Sequence, residues 1–187
     1  MAETDVRTLL EAFIEESKDG ECSVHESAFI DPKVIPFLAE VRKACEQNLC
    51  GMYGKCWTCP PGVGAWEDLR DKYQSYAHAL VYSTRHELED SFDFEGMTDA
   101  REAHYKMDNK LRKSLRAAGA DFAMLGAGGC SICPKCAYPD EPCRHPELAT
   151  PSMESTGISV VELTKKIGIH YINGVNTVTY FSVIFCN

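Results

Sequence analysis

A chain of 187 residues with a formal net charge of −9 is long enough to bury a substantial apolar core without disulfide staples, and it is expected to form a single domain over residues 1–187. The acidity excludes a general nucleic-acid binder, which needs a basic stripe. Ten cysteines are many for an ordinary domain, yet too sparse for the disulfide-scaffold class. No apolar run approaches the ~20 residues that span a bilayer; the longest, 178–186, is strand-sized. The start Met1-Ala2-Glu3-Thr4-Asp5 has no basic region before an apolar core, so no signal peptide is expected. A cytoplasmic location follows, where clustered thiols mean metal more often than disulfide.

In chain order, Leu9, Leu10, Phe13 and Ile14 predict an amphipathic helix over 4–17. Residues 18–30 read as a loop, with Cys22 and His25 as ordinary structural residues. Asp31-Pro32 is a helix start, and Ile35, Leu38, Val41 and Cys45 carry that helix to about Gln47. Trp66, Leu69 and Tyr73 predict a helix over 65–74, and 75–83 reads as a strand buried on both faces. The acidic stretch 84–97 is expected to be a surface loop before the longest helix. That helix opens at Thr98-Asp99, faces the core with Ala100, His104, Met107, Leu111, Leu115 and Ala118, and ends at Gly119. A short strand over 121–125 follows. Ser159-Val160-Val161-Glu162 is a capping box for a helix that stops at Gly168, with Ile158 and Leu163 as its staple. Strands over 169–172 and 177–185 are expected on either side of an Asn173-Gly174 turn. The alternation of strands and helices predicts an α/β fold: a small, mostly parallel sheet flanked by helices.

Two cysteine-rich loops carry the chemistry. The later one, 126–146, reads G-A-G-G-C-S-I-C-P-K-C-A-Y-P-D-E-P-C-R-H-P and holds Cys130, Cys133, Cys136 and Cys143. Its C-x2-C-x2-C run lets one loop wrap three thiolates around a small inorganic cube, with a fourth arriving later. Bacterial ferredoxins bind [4Fe–4S] clusters with a related run whose last gap is three residues rather than six. Zinc is the main competitor, but structural zinc sites draw cysteine pairs from separate segments. The earlier loop holds Cys45, Cys50, Cys56 and Cys59 at a less diagnostic spacing, among glycines and the Pro60-Pro61 pair. Cys45 and Cys56 also have a reading as buried apolar cysteines. In a parallel sheet the first loop, attached to the start of helix 65–74, and the second, leaving strand 121–125, share one edge. Eight thiolates gathered there suit one or two [4Fe–4S] clusters, or a cluster and a zinc.

Basic residues Arg42, Lys43, Lys55, Lys135 and Arg144 flank the cysteines and, as a group, offset cluster charge. Gly126-Ala127-Gly128-Gly129 is not a dinucleotide fingerprint, because cysteines and proline follow it instead of a helix. Its glycines let backbone N–H groups approach cluster sulfurs. His145 reads as a locally bonded loop residue, and Trp57, Trp66 and Tyr53 as shields against water. A small-molecule substrate, if there is one, is expected at Arg144, Glu154 and the helix start that follows. No catalytic triad, Walker loop or zinc-protease helix is present.

The segments Y-G-K-C-W-T-C-P-P (53–61) and C-S-I-C-P-K-C … P-C-R-H-P-E-L-A-T-P-S-M-E-S-T-G-I-S-V (130–160) resemble a domain-of-unknown-function family of predicted metal-binding proteins, found mostly in anaerobic bacteria and archaea. The resemblance covers most of the chain and implies metal binding in an anaerobe-type cytoplasm, with no reaction attached. In that family the position of Cys56 is often not cysteine, which implies Cys45, Cys50 and Cys59 as the surer trio and an iron with an open position. Three functions are therefore expected to compete: an iron–sulfur electron carrier serving a redox partner protein, an iron–sulfur enzyme with an open cluster site, and a zinc-stabilised adaptor.

Overall fold

The computed structural model describes residues 6–20 and 22–187. In order, it holds α1 (Val6–Ser17), β1 (Glu26–Ile30), α2 (Ala39–Glu46), α3 (Trp66–Gln74), β2 (His78–Glu87), α4 (Phe94–Ala117), β3 (Phe122–Leu125), α5 (Val160–Ile167) and β4 (Thr177–Cys186). Short 3-10 turns occupy Pro32–Val34 and Glu154–Thr156. The first helix was expected from residue 4; residues 4 and 5 lie outside the described residues.

The four strands form one sheet in the order β1-β2-β4-β3, and every neighbouring pair is antiparallel. The mostly parallel sheet expected from the sequence is therefore wrong, and the placement of β4 is the reason. The crossover β2–α4–β3 exists, and its two strands run the same way, because each is antiparallel to β4. They are not hydrogen-bonded neighbours, since β4 lies between them. It pairs with all of β2, from His78↔Cys186 to Glu87↔Thr177, and on its other side with β3, from Phe122↔Cys186 to Leu125↔Val183.

Both faces of the sheet are covered, which explains the near-continuous apolar runs of β2 and β4. Side chains alternate with the period of two that strands impose. Ala79, Val81, Val183, Phe185 and Leu125 face one layer, packed with Ile35, Tyr73, Ile158 and Leu163. Leu80, Tyr82, Ile184 and Met124 face the other, packed with Leu10 and Phe13 of α1 and Met107, Leu111 and Leu115 of α4. Such runs signal two covered faces and do not encode strand direction.

Several boundaries also differ. The helix expected over 31–47 is split: Asp31 caps the Pro32–Val34 turn by accepting from Lys33 N at 2.9 Å, the chain then runs extended, and α2 begins only at Ala39. Pro36 causes this, because it disfavours helical geometry at Ile35, whose ψ is 123°. Residues 26–30 form an edge strand rather than loop, and β2 extends to Glu87. Helix α4 starts at Phe94, earlier than Thr98, because Asp93 accepts from Gly96 N at 2.7 Å. Residues 169–172 are not a strand; Tyr171 instead stacks on Phe181 with ring centroids 5.8 Å apart. Helix α5 is as expected, with Ser159 accepting from Glu162 N and Gly168 in the left-handed region at φ 74°. Among the described residues no helix is long and apolar enough to cross a membrane.

The two-layer core makes a direct prediction. Phe185→Ala removes a fully buried ring that stacks on Tyr73 at 4.9 Å, and is expected to cost about 3–5 kcal/mol in urea unfolding. Val161→Ala, on the exposed side of α5, is expected to change stability by less than about 0.5 kcal/mol.

Candidate metal centre

The common direction of β2 and β3 puts their C-terminal ends at one edge of the sheet. Helix α3 runs back along the layer before β2, so the first cysteine loop, which precedes α3, reaches that edge. The second loop leaves β3 there at Gly126 and returns beside itself: Gly126 N donates to Pro151 O at 3.0 Å and Met153 N to Gly126 O at 3.2 Å. The loops thus meet although the strands are not paired in parallel, because co-directional strands suffice.

Contact between the loops is direct. Trp57 Nε1 donates to Glu141 O at 3.0 Å, and its ring meets Tyr138 edge-on at a centroid distance of 4.9 Å. Gly62 lies so close that a Cβ there would fall 2.8 Å from Cys56 O and 2.9 Å from the Tyr138 ring. A Cβ on Gly129 would be 3.9 Å from Cys59 Sγ.

Five cysteines line one recess between the loops: Cys56 from the first, and Cys130, Cys133, Cys136 and Cys143 from the second. Arg144 and His145 also line it, and Arg144 donates to Lys135 O at 3.0 Å. Cys59 is buried next to Cys56, and the two thiols share a hydrogen bond. Sharing one proton lowers the Cys56 thiol to about 5 and drives Cys59 upward; Thr58, whose Oγ1 is 3.5 Å from Cys56 Sγ, reinforces the first effect. Cys45 and Cys50 stand outside the recess on the Cys59 side, with Cys50 close enough for its charge to act on both Cys45 and Cys59. Burial pushes the Cys45 and Cys130 thiols up. Cys45 Sγ lies 4.0 Å from Glu154 O, and Arg42, one turn earlier in α2, donates to the carbonyls of Ser155 and Gly64, tying α2 to both neighbouring segments.

The two residues expected at a small-molecule site are separated. Arg144 lines the recess, whereas Glu154 lines another cavity with Tyr171 and Tyr180. Cys22 and Cys186 lie elsewhere, Cys22 beside Met107 and Cys186 in the core.

The donor set fits a soft metal. All ten cysteines are unbridged thiols, and thiolates select zinc, copper(I) or iron–sulfur clusters. Among the described residues no three Cys, His, Asp or Glu side chains stand together around a single point that would hold one ion.

Buried polar residues also emerge, of which the sequence pointed to His104 alone, as a core-facing position. His104, Asp108 and Arg112, at i, i+4 and i+8 on the inner stripe of α4, are all buried. The legible signal was three polar groups in a stripe otherwise apolar.

Among known families, the model described as a predicted metal-binding protein, domain of unknown function 2284, matches residues 28–186. No curated protein and no solved structure matches the chain.

The contact at Gly62 is testable. Gly62→Ala forces the loops apart and is expected to cost about 1–3 kcal/mol in unfolding. Buried Cys56 and Cys59 should then react faster with a thiol reagent in the metal-free protein. Unchanged stability and reactivity would contradict the close packing of the loops.

Proposed function

The chain belongs to this family of predicted metal-binding proteins, and on that premise we propose that it is a cytosolic iron–sulfur protein in which Cys130, Cys133, Cys136 and Cys143 hold a [4Fe–4S] cluster. The observation that carries the reading is one recess lined by five cysteines drawn from both loops. Cys45, Cys50 and Cys59 form the donor group of a second cluster, with Cys56 between the two. A bound cluster supplies one-electron transfer.

The rest is the work of the chain. Trp57 and Tyr138 pack over the junction of the loops and limit water there. The Ile132 backbone N–H bonds to the first thiol of the run, Cys130, and opposes the effect of its burial. Arg144 places positive charge against a net-negative site. Leu49, 89% exposed beside the exposed Cys50, offers a redox partner protein an apolar contact next to the second donor group. A second reading rests on the same grouping: because Cys56 lines the other recess, the trio Cys45, Cys50 and Cys59 leaves one iron open to a small substrate.

Iron and acid-labile sulfide, counted after anaerobic purification, test the proposal. About four of each per chain is expected for one cluster and about eight for two, with colour that bleaches on reduction. Cys133→Ser and Cys136→Ser each should lose the first cluster's iron. Cys56→Ser should keep it if Cys56 only shields, and lose iron if Cys56 completes the second site. Stoichiometric zinc without sulfide would overturn the cluster assignment.

A further inference from the structure

A group of buried polar side chains lies between α4 and the face made by β2 and β4. Burying such groups is costly unless each finds a partner, and here they form one continuous chain. Asp108 accepts from the Tyr82 phenol and from Ser182 Oγ, the latter at 3.0 and 2.9 Å to its two oxygens. Ser182 Oγ is 2.9 Å from His104 Nε2, and His104 Nδ1 is 2.8 Å from Thr84 Oγ1. Thr84 Oγ1 is 3.0 Å from Nε2 of the half-buried His86. At the other end, Asp108 opens into a cavity of about 40 Å3, room for roughly three waters, lined also by Arg101, the 126–129 loop and Cys130.

Anchoring α4 to the sheet explains why these groups are paired. It does not explain why every link between Asp108 and His86 is amphoteric. With Asp108 ionised, His86 Nε2–H donates to Thr84, Thr84 O–H to His104 Nδ1, His104 Nε2–H to Ser182, and Ser182 O–H to Asp108. With Asp108 protonated, every bond reverses and none is lost: Asp108 donates to Ser182, Ser182 to His104 Nε2, His104 Nδ1–H to Thr84, and Thr84 to His86 Nε2. A chain satisfied in both polarities passes a proton by shifting each hydrogen one place, and its lasting changes are the tautomers of His104 and His86.

We propose that Asp108, Ser182, His104, Thr84 and His86 form a proton relay, and that the cavity beside Cys130 is a proton-exchange site for a small anionic base held by Arg101. The step starts with the chain in its first polarity and the Asp108 proton on Oδ2, the oxygen beside Gly126 of the cavity wall; the ligand takes that proton as the O–H bond breaks. Ser182 O–H then reprotonates Asp108, and the deficit passes through His104 and Thr84 to His86, which takes a proton from solvent at Nδ1. The balance needs no further reactant and is the same whichever metal Cys130 holds. Arg101 is placed for its role: its Nη1 lies 3.6 Å from where a Cβ on Gly128 would be.

The electrostatics agree. Burial raises Asp108 to about 7, against the opposing hydrogen bonds of Tyr82 and Ser182 and the charge of Arg112. Burial lowers His104 to about 4, so the ring passes the proton while neutral, the Phe181 carbonyl opposing only in part. His86 is lowered by burial and by His104. The other groups around Asp108 are Cys22 on the α1 side, and Glu102 and Tyr105 at the cavity.

Nitrogen-15 NMR of the full-length protein reads the His104 tautomer directly. Between about pH 5 and pH 9, where His104 stays neutral, the expected form is Nε2–H at high pH and Nδ1–H at low pH. The midpoint should coincide with Asp108 titration near 7. The swap should vanish in Asp108→Asn and in the near-isosteric Thr84→Val. One tautomer held throughout, or a swap that persists in Asp108→Asn, overturns the relay. Formate, small enough for the cavity, should raise the Asp108 midpoint in the wild type and leave it unmoved in Arg101→Gln. An unmoved wild-type midpoint overturns the ligand assignment.

Discussion

Strand β4, paired along its full ten residues with β2 and along four with β3, sets the geometry on which the cysteine-lined edge depends. It holds two strands of the same direction apart while presenting their C-terminal ends on one side. Because α3 runs back from that side, the loop before it and the loop after β3 emerge as neighbours. Trp57 and Gly62 then close the gap, one by bonding to Glu141 and meeting Tyr138, the other by having no side chain. The sulfurs of the first loop divide as a result: Cys56 turns into the recess of the second loop, and Cys45, Cys50 and Cys59 stay on its flank.

The two faces of the sheet do different work. The face carrying Val81, Val183 and Phe185 is apolar and packs α3 and α5, fixing the segments that end at the cysteine-lined edge. The opposite face is apolar near Leu80 and Ile184 but polar one turn along α4, where Asp108 and His104 meet Ser182 and Thr84. Since Gly126, the first residue of the second loop, borders Asp108, the polar layer and the cysteine loop share a wall. Chemistry at one is within reach of the other through a cavity of a few waters.

Much of the local structure was legible from residues alone. Ser159 and Gly168 bracket α5, the stripe of α4 is where its period put it as far as Leu115, with Ala118 exposed beyond the helix end, and the cysteine loops announce themselves by spacing. What was not legible has physical causes. Pro36 cut a helix that the apolar spacing continued, and Asp93 began another ahead of its expected start at Thr98-Asp99. Strand direction was hidden because an antiparallel sheet covered on both faces writes the same apolar runs as a parallel one. The relay was hidden for a different reason: Thr84 and Ser182 each look like a tolerated hydroxyl in a greasy strand, and only the register that pairs β2 with β4 brings both to His104.

The central claim is that thiolates from this edge hold a multinuclear, sulfur-bridged centre. X-ray absorption at the iron edge of anaerobically purified protein tests it most directly. The expected spectrum has a first shell of sulfur alone and a short iron–iron distance beyond it. A first shell containing nitrogen or oxygen with no iron–iron contribution, or metal found only at the zinc edge, would contradict it.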